Sequence, residues 1–132
     1  MTHPIQIAGG GLAGLALGIA LRRHGVPVTV HEAGHYPRHR VCGEFLAGLR
    51  LETLEELGIC TVFEDVLRGE SVGWYGKGKT FLKTRLPEPA LCISRYVLDH
   101  RLAVLFEDWG GKLETGSRIE LKTFEGEAGH VL

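Results

Sequence analysis

Near the amino terminus the apolar positions change period twice. Ile5, Gln6, Ile7 and Ala8 make a short run that ends at Gly9, the pattern of a buried strand. From Leu12 onward, Leu15, Ala16, Ile19 and Ala20 recur at helical spacing. Arg22, Arg23 and His24 crowd the last turn of that stretch, where basic side chains suit the negative end of the helix dipole, and Gly25 is the expected stop. Val26, Val28 and Val30 then alternate with polar or small residues, a strand signature. Two strands joined by a helix in this way predict a right-handed parallel crossover.

The remainder predicts further elements. A loop over 33–43 contains Gly34 and Pro37, and a second helix follows with Leu46, Leu49, Leu54 and Leu57 on one face and Gly58 at its end. Residues 71–84 read as two antiparallel strands around Gly76, Lys77 and Gly78, with Trp74, Tyr75 and Phe81 as hairpin packing. Pro87 and Pro89 are expected to separate that hairpin from a short strand over 90–93. Ser94 caps a third helix in which Leu98, Leu102, Leu105, Phe106 and Trp109 share a face before Gly110 and Gly111. Two more strands are expected over 112–115 and 118–121. No internal repeat or low-complexity linker interrupts the chain.

Composition narrows the function classes. The 132 residues are one domain's worth, with 44% apolar and 23% charged residues, enough to bury a core. Lys and Arg number 15 against 16 Asp and Glu, and no basic run stands out, which argues against a nucleic-acid binder. Cys42, Cys60 and Cys92 are widely spaced and odd in number, so no disulfide framework is expected and a reduced, intracellular chain is the simplest reading. The apolar stretch 5–21 lacks a basic leading region and contains Gly9, Gly10, Gly11, Gly14 and Gly18. It reads as neither signal peptide nor transmembrane segment, and the expected compartment is the cytoplasm. His31, His35 and His39 fall four apart with Cys42 beyond, but Gly34 and Pro37 break any helix between them, so no metal site is expected.

Gly9-Gly10-Gly11-Leu12-Ala13-Gly14 matches G-x-G-x-x-G between the first strand and the first helix, and the second strand ends in the acid Glu32. Each part has a physical task in a dinucleotide site. Gly9 permits the tight turn, Gly11 lets a pyrophosphate approach the backbone, and Gly14 lets the helix pack closely on the strand. The N–H groups around Leu12 and Ala13 then face the anion at the positive end of the helix. Glu32 would accept hydrogen bonds from the adenosine ribose, and an acid there disfavours a 2′-phosphate. The plainer alternative is a glycine-rich turn that holds no ligand.

Three stretches together resemble a known family. The run from Gly9 through Gly14, Gly18, Leu21, Gly25, Val28 and Val30 to Glu32 resembles the opening of FAD-dependent oxidoreductases. Pro37-Arg38-His39-Arg40-Val41-Cys42-Gly43-Glu44-Phe45-Leu46 is similar to the basic Cys-Gly segment of the geranylgeranyl-reductase-like group, which is allied to the p-hydroxybenzoate-hydroxylase-like flavoproteins. Ser94-Arg95-Tyr96-Val97-Leu98-Asp99-His100-Arg101-Leu102 resembles the Arg-x-x-Leu-Asp-x-x-Leu helix start of that group.

The resemblance implies an α/β fold: a Rossmann-like, FAD-binding strand–helix–strand unit with a parallel sheet, plus the start of an antiparallel substrate-domain sheet. It implies that 1–132 form the amino-terminal part of a discontinuous FAD-binding domain, with a hairpin over about 70–90 belonging to the substrate side. The implied cofactor is FAD. Gly9, Gly11, Leu12, Ala13 and Gly14 would hold its pyrophosphate and Glu32 its ribose. Arg38 and Arg40 would lie along the ribose and phosphate side, Arg95 would reach the cofactor from the other side, and Cys42 and Gly43 would sit near the flavin. Forked guanidinium donors suit a pyrophosphate. Cys42, with Arg38 and Arg40 nearby, also reads as a reactive thiol, against the simpler reading of a small residue beside the flavin.

In that family a later strand and a Gly-Asp segment return to grip the cofactor, and this sequence ends at Gly129-His130-Val131-Leu132 before either. The expectation is an amino-terminal portion of a longer flavoprotein, with a complementary downstream chain as a partner. The intact protein would reduce an isoprenoid-type double bond or hydroxylate an aromatic or other small organic substrate, and a prenyl substrate would imply peripheral membrane contact. The rival readings are a non-catalytic dinucleotide-binding or interaction module and an NAD-binding dehydrogenase domain. The segment around Cys42 and the Arg95 helix speak against the last.

Overall fold

A computed structural model describes residues 3–120. Strand β1 (Ile5–Ala8) leads through the glycine turn into helix α1 (Leu12–Arg23), and the chain returns as strand β2 (Val28–Glu32). Gly25, at φ +75°, closes α1 where the sequence predicts a stop, and its N–H donates to the Arg22 carbonyl at 2.9 Å. A two-residue strand β3 (Phe45–Leu46), helix α2 (Leu51–Leu57) and a 3-10 turn over Cys60–Phe63 follow. The long strands β4 (Leu67–Gly76) and β5 (Lys79–Cys92), helix α3 (Arg95–Asp108) and strand β6 (Lys112–Thr115) complete the described chain.

Two sheets result. One is parallel in the order β1-β2-β6, and the other is antiparallel in the order β3-β5-β4. This is the α/β architecture expected from the sequence, with β2 in the middle of the parallel sheet and buried along nearly its whole length. Helices α1 and α3 cover one face, and the core gathers Leu15 and Ile19, Val28 and Val30, and Leu98, Leu102 and Phe106. Gly18 lets the two helices meet closely, because a Cβ there would stand 2.8 Å from the Phe106 ring.

The basic end of α1 serves its neighbours. Arg22 donates to the Trp109 carbonyl at the end of α3 at 3.0 Å, and Arg23 donates to the Glu55 and Glu56 carbonyls of α2 at 3.0 and 2.7 Å. Both guanidinium groups thus satisfy carbonyls that a helix end leaves without partners.

Three expectations need correction. Leu46 does not belong to the second helix: it lies in β3 opposite Leu91, and Leu49 lies in the loop before α2. Pro87 and Pro89 do not end a strand, since β5 runs to Cys92. Its pairing jumps from Ser71↔Arg85 to Gly69↔Ala90, so both prolines fall in a bulge where the ladder asks for no N–H donor. The expected strand over 118–121 has no regular structure through 120, and Leu121 lies outside the described residues. Among the described residues no helix is long and apolar enough to cross a membrane.

Candidate functional site

The candidate site lies where β1 turns into α1. Gly9 adopts φ +101°, a conformation that side chains disfavour, and its N–H donates to the His31 carbonyl of β2 at 2.8 Å. A Cβ on Gly14 would collide with the Gly9 carbonyl oxygen and come to 3.2 Å from Ile7 Cγ2, so the closeness of α1 and β1 demands glycine there. Gly11 stands in open space: the nearest atom to a Cβ built on it is Arg95 Nη2, at 3.9 Å.

The first N–H of α1 to find a helical carbonyl is that of Leu15, on Gly11 at 3.0 Å. The N–H groups of Leu12, Ala13 and Gly14 precede it and have no carbonyl one turn back. Gly11 supplies no capping side chain, and the first turn carries no acid. A helix start left bare in this way favours an anion.

Glu32 is buried at the end of β2, 4% exposed, and its carboxylate is already engaged. Oε2 accepts the Gly10 N–H at 2.9 Å, while Oε1 accepts the Gly34 N–H at 2.7 Å and Arg38 Nη1 at 2.5 Å. Burial works to raise its pKa, but the Arg38 guanidinium and the two backbone donors outweigh it and hold the carboxyl down at about 2. Arg38 therefore stands against Glu32 rather than out in the loop. Its Nε and Nη2 are buried and have no hydrogen-bond partner among the described residues.

Arg95, the first residue of α3, reaches the same turn and is held by Asp99 one helical turn on. The first helical turn of α3 is set by Ser94, whose Oγ accepts the Val97 N–H at 3.3 Å as the sequence predicts. His39 and Tyr96 place their ring centroids 4.6 Å apart, which ties the loop carrying Arg38 and Arg40 to the start of α3. Arg40, Cys42 and Gly43 are exposed along that loop. The structure thus brings together Gly9, Gly11, Leu12, Ala13, Gly14, Glu32, Arg38 and Arg95, and leaves Arg40, Cys42 and Gly43 exposed on the loop between β2 and β3.

Sequence reasoning missed Tyr36, whose hydroxyl donates to the Gly10 carbonyl, and the pairing of Glu32 with Arg38. Neither has a signature in spacing. His31 lies in β2, with Nε2 2.7 Å from Gln6 Oε1, and does not join His35 and His39 on a common face. No group of three metal-ligating side chains gathers among the described residues. A surface groove of about 570 Å³ between the 3-10 turn and α3 shares no lining residue with the glycine turn.

A parallel sheet opening on this glycine turn, with an antiparallel sheet beside it, is the fold of the FAD-binding flavoproteins. No family model matches the chain. Among solved structures it is similar to the tetrameric form of 2-methyl-3-hydroxypyridine-5-carboxylic acid oxygenase, with a TM-score of 0.77 and 27% identity over 89% of this chain and 32% of that one. The flavin-dependent monooxygenase PieE, in complex with FAD and substrate, shares the fold with a TM-score of 0.70 and 21% identity over 86% of this chain and 23% of that one. Two curated proteins also match. The conditioned medium factor receptor 1 of Dictyostelium discoideum is 24% identical over 96% of this chain and 28% of its own length. The menaquinone reductase of Mycolicibacterium smegmatis is 25% identical over 87% of this chain and 29% of its own length. The chain spans less than a third of either relative.

Proposed function

We propose that the chain is the FAD-binding amino-terminal part of a flavin-dependent oxidoreductase. The observation that carries this reading is the bare amino terminus of α1, opened by a glycine turn and faced by Arg95. The features present suit a dinucleotide: unpartnered amides and no Cβ on Gly11 for its diphosphate, and a partly buried Arg38 guanidinium with two nitrogens to spare beside Glu32.

In this reading Gly9, Gly11, Leu12, Ala13 and Gly14 bind the diphosphate through the backbone, and Arg95 adds a guanidinium. Glu32 offers the adenosine ribose the free lone pair of Oε2, and Arg38 offers Nε and Nη2 beside it. Arg40 lies along the same side, with Cys42 and Gly43 toward the flavin. FAD, when bound, supplies the two-electron chemistry, and the chain orients it.

The resemblance of the Cys42 segment and the Arg95 helix to the geranylgeranyl-reductase-like group, with the relative named a menaquinone reductase, supports reduction of an isoprenoid-type double bond by the intact protein. The oxygenase neighbours support hydroxylation of a small organic substrate. The β4–β5 hairpin belongs to the substrate side.

A second reading, a non-catalytic dinucleotide-binding module completed by a complementary chain, is favoured by β1. Among the described residues it pairs only with β2 and leaves its other edge open.

Titration of the purified chain with FAD tests the proposal. Quenching of flavin fluorescence with one flavin bound per chain, abolished by Gly11→Val, is the expected result. NAD binding without flavin binding would overturn it in favour of a dehydrogenase domain. FAD binding with no turnover once a downstream segment is supplied would favour the module.

A further inference from the structure

The residue between the first two motif glycines is held on both of its polar groups. Gly10 is buried, its N–H donates to Glu32 Oε2 at 2.9 Å, and its carbonyl accepts the Tyr36 hydroxyl. A Cβ at this position would collide with that hydroxyl, while standing 3.0 Å from Glu32 Cβ and 3.3 Å from Tyr36 Cζ. The loop after β2 therefore folds back over the turn and fits it so closely that an alanine methyl would have to displace the Tyr36 hydroxyl.

The peptide that links Gly10 to Gly11 is planar and trans, so its C=O and N–H point to opposite sides. Fixing the Gly10 carbonyl on Tyr36 consequently aims the Gly11 N–H away from the loop. The Gly9 N–H goes to His31, the Gly10 N–H goes to Glu32, and the Gly11 carbonyl receives the Leu15 N–H. No acceptor takes the Gly11 N–H among the described residues. Burial, with the Glu32 charge second, pushes the Tyr36 hydroxyl up to about 12, so it remains a donor at neutral pH.

We propose that Tyr36 is a positioning residue for the dinucleotide diphosphate: its hydroxyl turns the Gly10–Gly11 peptide so that the Gly11 N–H joins the bare amides of α1. The inference rests on the FAD reading above and adds to it a residue that acts through the Gly10–Gly11 peptide.

The test is Tyr36→Phe, which keeps the ring and removes the donor. Its affinity for FAD, and for ADP as the diphosphate-bearing half, is expected to fall about tenfold by fluorescence titration and calorimetry. Arg23→Ala, a variant destabilised in α2 and remote from the glycine turn, should bind both as the wild type does. In nitrogen–proton NMR spectra the Gly11 amide should shift in free Tyr36→Phe and lose most of its response to ADP. Wild-type affinity in Tyr36→Phe, or an affinity loss that Arg23→Ala matches, would overturn the inference.

A wild-type chain that binds neither FAD nor ADP overturns the parent reading instead. The role of Tyr36 is then decided by a stability cycle. Gly10→Ala should lower Tm sharply, and Gly10→Ala/Tyr36→Phe should recover at least half of that loss. Absence of recovery would show that the hydroxyl does not set the turn.

Discussion

Arg95 holds Asp99 through both carboxylate oxygens, Nε to Oδ1 at 2.7 Å and Nη2 to Oδ2 at 2.9 Å. Asp99 is fully buried, so the arginine proposed to face the cofactor is also the counter-charge of a core acid. Arg95→Ala is therefore expected to cost folding as well as binding, on the order of 3 kcal/mol in denaturant unfolding, because it strands a buried carboxylate. Adding Asp99→Asn should return part of that stability and none of the FAD affinity. Full recovery of both would make Arg95 purely structural.

Glu32 sets a pH dependence whose sign follows from its environment. Its folded pKa, about 2, lies below the ordinary 4.5, so its contribution is present above pH 4.5 and is lost as pH falls toward 2. The stability advantage of wild type over Glu32→Gln should accordingly shrink by about 3 kcal/mol between pH 6 and pH 2. Urea unfolding of both proteins across that range measures it, and a constant difference would contradict the assignment.

The motif glycines should separate by phenotype. Gly14→Ala forces a methyl group against the Gly9 carbonyl and is expected to destabilise the chain by about 1–3 kcal/mol. Gly11→Ala places its methyl group in open space beside Arg95 and should leave Tm within a few degrees while weakening FAD. Parallel thermal melts and flavin titrations distinguish them.

Arg23 closes the carboxyl-terminal end of α2 from a different helix, and a Cβ on Gly58 would collide with its side chain. Arg23→Ala is expected to cost about 1 kcal/mol. The loss should be localised by amide exchange to 51–58, with α1 protection unchanged.

The strand–helix–strand opening was legible because its determinants are local. Alternating valines, a helical apolar stripe and glycine punctuation each act over a few residues. The antiparallel sheet was harder to read because its pairings are distant. Leu46 and Leu49 have helical spacing with Leu54 and Leu57, yet Phe45 and Leu46 find partners in Cys92 and Leu91. The prolines misled for a related reason: a bulge opposite Glu70 absorbs them, and only the register reveals it.

Within the site, Gly9, Gly11, Gly14 and Ser94 were readable from motif and position. Tyr36 and the Glu32–Arg38 pair were not, because a loop that folds back on a turn leaves no period in the sequence. Arg95 was visible as a charge at a helix start, but its bond to Asp99 depends on burial that the helical stripe did not disclose.

In β1, Ile5 and Gly9 direct their N–H groups toward β2, so the peptide groups of Gln6 and Ala8 face the other way. A stretch of main chain presented like this is a template on which another extended segment can lie. Prepared alone, the chain should tend to self-associate along this border, and a short peptide that zips onto it would keep the protein monomeric.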